Sequence, residues 1–180
     1  GCVRDQLLGR VPSDFDVATS ARPEQVQRLF RRTIPVGVQF GVVLVIDGSH
    51  RVEVATFRSD DAYVDGRRPT AVYFGTALQD AQRRDFTINA LLLNPENDHV
   101  IDFVGGQADL RAGVVRAIGD ANARIKEDRL RMLRAVRFAA RFGFRLDPAT
   151  HAAVVAAAPL LPDMAGERIG EELIKILTEG

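Results

Sequence analysis

Residues 41–57 indicate the fold class most clearly. They form three consecutive stretches, Gly41-Val42-Val43-Leu44-Val45-Ile46, Asp47-Gly48-Ser49-His50 and Arg51-Val52-Glu53-Val54-Ala55-Thr56-Phe57. The two outer runs are rich in β-branched residues, and the polar segment between them contains an Asp-Gly pair. Such a pair between two apolar runs is a strong signal for a β-hairpin. We therefore predict two antiparallel strands joined by a short turn.

Helices and further strands are predicted on both sides of this hairpin. An amphipathic helix begins at residues 21–24 and places Val26, Leu29 and Phe30 on one face. The other predicted elements are strands at 15–18, 88–93 and 99–103, a long polar loop at 58–79, and helices at 124–142, 149–158 and 168–178. The chain is therefore expected to combine helices and strands in residues 1–118 and to be helical in residues 119–180.

The composition excludes several classes of protein. The 180 residues contain 24 Lys plus Arg and 24 Asp plus Glu, and 46% are hydrophobic, as is usual for globular proteins. The strongly apolar runs at 42–46 and 152–158 are far shorter than the ~18 residues of a membrane span, so no membrane protein is expected. A single cysteine excludes an internal disulfide and favours a cytoplasmic location. Because the chain does not begin with Met, we expect it to be a fragment.

Asp14 and Asp16 are candidate metal ligands. Alternation along a strand would place both carboxylates on one face, ~7 Å apart, where they repel unless a cation lies between them. Magnesium is commonly held by one or two carboxylates together with substrate phosphates. Glu53 or Asp85 would supply a third carboxylate. The alternative is a surface turn, in which Asp14 caps the turn and Asp16 is solvated.

Two segments are candidates for phosphate binding. Gly1 precedes a helix start, where free backbone N–H groups favour an anion, and Arg4 lies one turn further along. In the run around Arg84, the guanidinium would contact a triphosphate, while Asp85 and Asn89 would hold the backbone or sugar hydroxyls. The alternative for this second segment is a salt-bridged helix end of little energetic value.

The segment 124–142 has seven basic and two acidic residues, a local net charge of plus five. Arg131, Arg134, Arg137 and Arg141 would lie within an arc of roughly 120°. The residues expected to pack into the core from the opposite arc are Met132, Leu133, Val136, Ala139 and Ala140. Because acids one turn away are present only for Arg131, this arginine ridge indicates an external anion such as phosphate.

Asp128 and Arg131 would lie one helical turn apart, with acceptors and donors side by side. Reading the edge of a base by hydrogen bonds requires that combination. The alternative is an ordinary Asp–Arg ion pair.

Six runs of residues resemble the class II nucleotidyltransferase family, which includes tRNA CCA-adding enzymes and bacterial poly(A) polymerases. In order, they are Gly1-Cys2-Val3-Arg4-Asp5, Leu7-Leu8-Gly9, Asp14-Phe15-Asp16, Arg83-Arg84-Asp85-Phe86-Thr87-Ile88-Asn89-Ala90, Glu127-Asp128-Arg129-Leu130-Arg131-Met132-Leu133-Arg134-Ala135-Val136-Arg137-Phe138 and Glu167-Arg168-Ile169. The resemblance extends over essentially the whole chain. It implies an α+β fold, with a polymerase-β-like head that contains a mixed sheet at 1–118 and lacks its first strand. An all-α neck at 119–180 would select nucleotides and bind RNA.

The resemblance also implies a role for each candidate residue. Asp14 and Asp16 would bind two magnesium ions, Gly1, Arg4 and Arg84 would hold the nucleotide, Asp128 and Arg131 would pair with the base edge, and Arg134 and Arg137 would neutralise phosphates. The RNA 3′-hydroxyl would attack the α-phosphate of the nucleotide in line, with release of pyrophosphate.

The expected activity is template-independent addition of CMP and AMP, from CTP and ATP, to the 3′ end of tRNA. Asp65-Gly66 followed by Arg67-Arg68-Pro69 favours CCA addition over the alternative of a bacterial poly(A) polymerase. A CC-only or A-only tRNA enzyme is a further alternative. A non-catalytic RNA-binding module is the alternative from a different class. We expect the chain as given to add nucleotides poorly, since the family has further RNA-binding parts.

Overall fold

The computed structural model describes residues 1–37, 41–60 and 72–179. These residues form two compact units. The first contains the described residues up to 60 together with 72–83 and 92–101, and the second contains 84–91 and 102–179. No helix among the described residues is long and apolar enough to cross a membrane.

The first unit contains three short helices and eight strands among its described residues. They are α1 Cys2–Leu7, β1 Asp16–Thr19, α2 Pro23–Leu29, β2 Thr33–Gly37, β3 Val42–Asp47, β4 His50–Thr56, β5 Arg58–Asp60, β6 Val72–Phe74, α3 Ala77–Gln82, β7 Leu92–Asn94 and β8 His99–Ile101.

A four-stranded sheet in the order β1-β4-β3-β2 is the centre of this unit. The predicted hairpin is confirmed as antiparallel β3 and β4, whereas β1 runs parallel to β4, so the sheet is mixed. Val26 of α2 packs with Val43, Val45 and Val54 in the core of the unit. Because side chains alternate along a strand, the residues next to these valines point to the other face of the sheet.

Two predicted segments of this region differ from the structure. The segment 58–79 was predicted as a loop, but it contains β5 and β6, and α3 begins at Ala77 because Thr76 and Gln79 form a reciprocal capping box. Residues 61–71, with the Arg67-Arg68-Pro69 run, lie outside the described residues. The strand predicted at 88–93 is limited to β7, and it is preceded by a short 3-10 helix at Thr87–Asn89.

The second unit is mainly helical. Its elements are the Thr87–Asn89 3-10 helix, α4 Gly106–Ala112, β9 Val114–Val115, α5 Ala121–Glu127, α6 Arg131–Phe142, β10 Arg145–Leu146, α7 Pro148–Ala157, a second 3-10 helix Ala158–Asp163 and α8 Gly166–Glu179. Phe86 and Phe138 are buried here and meet edge to face, with their ring centroids 5.9 Å apart. Edge-to-face packing is a favoured arrangement of two aromatic rings.

The single helix predicted at 124–142 is wrong, because the structure has two helices with a break between Glu127 and Arg131. Asp128 adopts an extended conformation (φ −146°, ψ 107°), and its carboxylate accepts a hydrogen bond from the backbone N–H of Leu130. Asp side chains often compete with helical hydrogen bonding in this way. The break allows the side chain of Asp128 to point in a direction that a continuous helix would not permit.

Candidate functional site

The two candidate aspartates lie at the start of β1. The strand begins at Asp16, so the prediction that both residues alternate along it is wrong for Asp14, which precedes the strand. Asp16 is aligned with Glu53 of the parallel neighbour β4. Both side chains are exposed, and Val54, next to Glu53, is buried on the core face. The carboxylates of Asp16 and Glu53 therefore share the open face of the sheet.

None of the carboxylates of Asp14, Asp16 and Glu53 forms an ion pair with any other described residue; Asp14 Oδ1 accepts a hydrogen bond of 3.3 Å from Ser13 Oγ. No group of three or more His, Cys, Asp or Glu side chains that could hold a metal ion occurs among residues 1–37, 41–60 and 72–179. Exposed carboxylates that have no protein cation beside them suit a divalent ion shared with substrate phosphates, since magnesium needs only one or two protein carboxylates.

Gly1 and Arg4 lie at the first helix. Gly1 is the residue before α1, and its carbonyl oxygen accepts a hydrogen bond from the N–H of Asp5. Arg4 is only 5% exposed, and its Nη2 lies 2.7 Å from Asp5 Oδ1. The predicted phosphate contacts of Gly1 and Arg4 stay predictions. Any phosphate bound by Arg4 would share its guanidinium with Asp5.

Arg84 and Asp85 lie in the second unit and have different surroundings. Arg84 is half-buried, and its Nη1 donates a 3.2 Å hydrogen bond to the carbonyl oxygen of Asn89. Asp85 is buried, and its Oδ1 accepts hydrogen bonds from Phe86 N and Asn89 Nδ2. Its Oδ2 lies 2.6 Å from Arg134 Nη2. Holding the backbone was one of the roles predicted for Asp85, and the structure shows it.

The pair of Asp85 and Arg134 shifts the pKa of both groups. Burial acts to raise the pKa of Asp85, but the charge of Arg134 and the hydrogen bonds from Asn89, Arg134 and Phe86 outweigh it, so that pKa lies below its ordinary value of 3.8. Burial acts to lower the pKa of Arg134, and the adjacent Asp85 reverses this effect and raises it. Both groups are therefore charged at neutral pH.

The expectation that the arginine ridge, apart from Arg131, has no acidic partners is wrong. Each of its four arginines faces a carboxylate: Arg131 pairs with Glu127, Arg134 with Asp85, Arg137 with Glu172 and Glu179, and Arg141 with Glu179. The partners of the last three are 35 to 49 residues away along the chain. Helical spacing reveals acids only within one turn, so these partners could not be found from the sequence.

The predicted core face of α6 is also wrong in part. Met132 is buried as expected, but Ala135 and Phe138 are buried as well, whereas Val136 is 43% exposed. Leu133 and Ala139 are half-buried and Ala140 is exposed. Arg137 is only 6% exposed, since its guanidinium is paired with two glutamates. Its Cζ atom also lies over the ring of Phe138, 4.4 Å from the ring centroid. Charged side chains such as arginine are rarely buried unless they are paired, and Arg137 is paired.

Asp128 and Arg131, the candidate base-reading residues, are each held by a different partner. Arg168 Nη2 donates to both carboxylate oxygens of Asp128, at 3.2 and 3.0 Å. Arg131 Nη1 donates to Glu127 Oε2 at 2.6 Å and to the carbonyl oxygen of Arg124 at 2.8 Å. Both side chains therefore have defined positions.

Sequence reasoning did not include Arg168 among the candidate site residues. It lies 40 residues after Asp128 and no local spacing connects the two. The run Glu167-Arg168-Ile169, part of the resemblance, was the only signal at this position.

Two family models match this chain. The family model described as "Poly A polymerase head domain" matches residues 1–116. A second model, described as "Probable RNA and SrmB- binding site of polymerase A", matches residues 143–180.

Relatives and solved structures match nearly the whole chain. A CCA-adding enzyme of Levilactobacillus brevis is 47% identical over 179 residues, which is 99% of this chain and 45% of that protein. The structure of the Bacillus stearothermophilus CCA-adding enzyme in complex with CTP has a TM-score of 0.89 at 43% identity, covering 98% of this chain and 42% of that one. The Thermotoga maritima CCA-adding enzyme complexed with tRNA has a TM-score of 0.79 at 32% identity, covering 100% of this chain and 42% of that one.

The chain thus spans less than half the length of these relatives. The structural match confirms the predicted α+β fold with a mixed sheet and helices.

Proposed function

We propose a function on the premise that this chain belongs to the poly A polymerase head family, a membership that confirms the predicted nucleotidyltransferase resemblance. The protein adds CMP and AMP, from CTP and ATP, to the 3′ end of tRNA, as part of a CCA-adding enzyme. The observation that carries this proposal is the 47% identity to a CCA-adding enzyme over 99% of the chain.

Asp14 and Asp16 are the proposed magnesium ligands, and Glu53 is the preferred third carboxylate. Glu53 is exposed and aligned with Asp16, whereas both oxygens of Asp85 already accept hydrogen bonds from protein donors. When bound, magnesium would favour the ionised form of a hydroxyl and offset phosphate charge. These three carboxylates fit such an ion by charge and by their lack of other cations among the described residues.

In the proposed reaction, the 3′-oxygen of the RNA forms a bond to the α-phosphorus of CTP or ATP. The bond from that phosphorus to the pyrophosphate oxygen breaks, and the hydroxyl proton is lost to solvent. Arg84 orients the triphosphate, with Gly1 and Arg4 as further nucleotide contacts. The basic side chains act by binding and positioning, which supplies most of the catalysis in phosphoryl transfer.

Asp128 and Arg131 are the proposed base-reading pair. Cytosine and adenine each carry an exocyclic amino group, which donates hydrogen bonds, next to a ring nitrogen that accepts one. A carboxylate accepts from the amino group, and a guanidinium donates to the ring nitrogen. Uracil and guanine carry a carbonyl oxygen in place of that amino group and would leave Asp128 without a donor.

Arg134 and Arg137 receive different roles because their exposure differs. The Arg134 side chain is 32% exposed and can share its charge between Asp85 and a substrate phosphate. The Arg137 side chain is 7% exposed and faces Glu172 and Glu179, so its effect on phosphate binding is indirect, through the contact between α6 and α8.

The proposed domain division is a nucleotidyltransferase head at 1–118 and a helical neck at 119–180. The end of the head model at residue 116 supports it. A cytoplasmic location is part of the same proposal, supported by the single cysteine.

A second candidate function is that of a bacterial poly(A) polymerase, favoured by the description of the head model that matches residues 1–116. It uses the same metal ligands and differs in the RNA accepted and in product length. CCA addition is preferred because the relatives compared above are CCA-adding enzymes.

The test is single-nucleotide incorporation by the full-length protein, with magnesium, on tRNA that ends before CCA and on an unrelated RNA. Addition of C, C and A to tRNA alone, followed by a stop, would support the proposal. Long runs of A on either RNA would replace it with the poly(A) function.

The double variant Asp14→Asn, Asp16→Asn should lose incorporation by at least a thousandfold and keep most of its RNA binding. The matched control is Glu24→Gln with Glu96→Gln, which also neutralises two exposed carboxylates and should keep full activity. If the wild-type protein binds RNA but incorporates no nucleotide, the non-catalytic RNA-binding module is the better description.

A further inference from the structure

Few contacts within its own segment hold the side chain of Asp128 in position. It lies in the three-residue break between α5 and α6, and its backbone is extended rather than helical. Locally, the N–H of Leu130 donates to Oδ1 at 3.1 Å. One neutral hydrogen bond to one oxygen is a weak restraint on a side chain whose terminal torsion is broad.

Arg168 supplies the missing restraint. Its Nη2 is within hydrogen-bond distance of both oxygens of Asp128, and the two side chains are only 25% and 21% exposed. A charged donor that contacts both oxygens holds the carboxyl group in place against movement about the Cα–Cβ bond, and such hydrogen bonds are stronger than neutral ones. With Leu130 and Arg168 both bonded to Oδ1, the remaining acceptor capacity is mainly on Oδ2.

Helix α8 is itself fixed to α6. Arg168 and Glu172 are one turn apart on α8 and so lie on the same face. Glu172 is 2% exposed, and its Oε1 lies 2.6 Å from Arg137 Nε of α6. The position of the Arg168 backbone is therefore determined by a buried contact that begins one turn later in the same helix.

We propose that Arg168 is a positioning residue for nucleotide selection, which holds the Asp128 carboxylate so that Oδ2 faces the amino group of the incoming base. The inference rests on the proposed base-reading role of Asp128. Arg168 touches no reacting atom and acts only through Asp128. Its loss leaves the carboxylate able to move away from this position, and a displaced carboxylate accepts hydrogen bonds from the wrong base or from water.

The test compares kcat/KM for CTP with kcat/KM for UTP in the full-length protein carrying Arg168→Ala. We expect the preference for CTP to fall by about tenfold to a hundredfold, the equivalent of one charged hydrogen bond. Arg168→Lys keeps the charge but cannot reproduce the planar guanidinium. Its preference for CTP over UTP should therefore lie between that of the wild-type protein and that of Arg168→Ala. The lysine variant also serves if the alanine variant fails to fold.

Arg129→Ala is the matched control. Arg129 pairs with Asp163 at 3.3 Å and so joins the same two segments, the break after α5 and the chain before α8, through a carboxylate other than that of Asp128. Its removal should leave the preference for CTP over UTP unchanged. An equal loss in Arg129→Ala and Arg168→Ala would overturn the inference, because it would show only a general loosening of these segments.

The double variant Asp128→Ala, Arg168→Ala separates the two proposals. If Arg168 acts through Asp128, the double variant has the selectivity of Asp128→Ala alone. If the two losses multiply, Arg168 acts independently and the inference fails. If Asp128→Ala lowers the selectivity and Arg168→Ala does not, only the positioning role fails. Unchanged selectivity in Asp128→Ala would refute the base-reading role, and the positioning role with it.

Discussion

At the scale of single residues, Asp85 shows how one carboxylate can hold several parts of a site. Its Oδ1 accepts hydrogen bonds from Phe86 N and Asn89 Nδ2, and its Oδ2 binds Arg134 at 2.6 Å. The side chain therefore connects the segment of Arg84 with the start of α6. Removing one partner of such a pair leaves the other charge without compensation.

We expect Asp85→Asn to lower the free energy of unfolding by about 2 kcal/mol at pH 7. The value is below the usual range for a fully buried pair, because Arg134 is 32% exposed and can be partly hydrated. Urea unfolding measures it. Asp163→Asn is the control, since the Asp163 side chain is 62% exposed in its pair with Arg129 and should change stability by less than about 0.5 kcal/mol.

The stability difference between the wild-type protein and Asp85→Asn should depend on pH. The pKa of Asp85 in the folded protein lies below 3.8, so its contribution to stability is complete above pH 3.8 and is lost as the pH falls through the lower, folded value. The difference in stability between wild type and Asp85→Asn should shrink below pH 3.8. A difference that grows on acidification would contradict the assigned direction of the shift.

At the scale of elements, ion pairs join α6 and α8. Arg137 and Glu172 are 7% and 3% exposed at the side chain, and Glu179 adds a second carboxylate to Arg137. Apolar side chains of α8 such as Ile174 and Leu177 are exposed instead. The orientation of α8 on α6, and with it the position of Arg168, thus depends on ion pairs of specific geometry.

We expect Arg137→Met to lower the free energy of unfolding by about 3 kcal/mol, because it leaves Glu172 buried without its guanidinium. Adding Glu172→Met should recover most of this loss, since two apolar side chains often replace a buried ion pair at no cost. Chemical denaturation of the single and double variants measures both effects.

Arg141→Met is the matched control for this element. It removes a guanidinium one turn later on α6, from a pair with Glu179 in which the side chains are 25% and 33% exposed. We expect Arg141→Met to lower the free energy of unfolding by less than about 1 kcal/mol. A double variant that stays about as unstable as Arg137→Met would contradict the expected recovery.

At the scale of the whole molecule, charged residues are distributed unevenly along the chain. The net charge is zero, but residues 124–142 carry an excess of five positive charges. The structure offsets part of this excess with Asp85, Glu172 and Glu179. Anionic substrates are therefore expected to bind through a few partly exposed arginines and not through a broad basic surface.

Ligand binding should accordingly raise the stability of the full-length protein. At a CTP concentration of 100 times the dissociation constant, with magnesium, we expect about 2.7 kcal/mol of added stability if CTP binds only the folded state. Scanning calorimetry with and without CTP measures the shift in Tm. Arg84→Ala should reduce the shift, whereas Arg145→Ala, which removes an exposed arginine on β10, should not. An equal shift in both variants would contradict the role proposed for Arg84.

The sequence by itself determined the elements with strong local signals. The β3–β4 hairpin follows from the Asp47-Gly48 turn between β-branched runs, and α7 and α8 from their helical spacing. The ordered motifs likewise identified the family. These features depend on residues close together in the chain, where turn chemistry and periodicity act directly.

Only the tertiary structure decided how the charged side chains are paired. It split the predicted helix at Asp128 and gave that residue a partner 40 positions away. It also buried Arg137 beside Glu172 and aligned Asp16 with Glu53. Contacts between distant segments leave no local period in the sequence. A side chain's charge is known from its residue type, whereas the group that compensates that charge depends on which segments fold against each other.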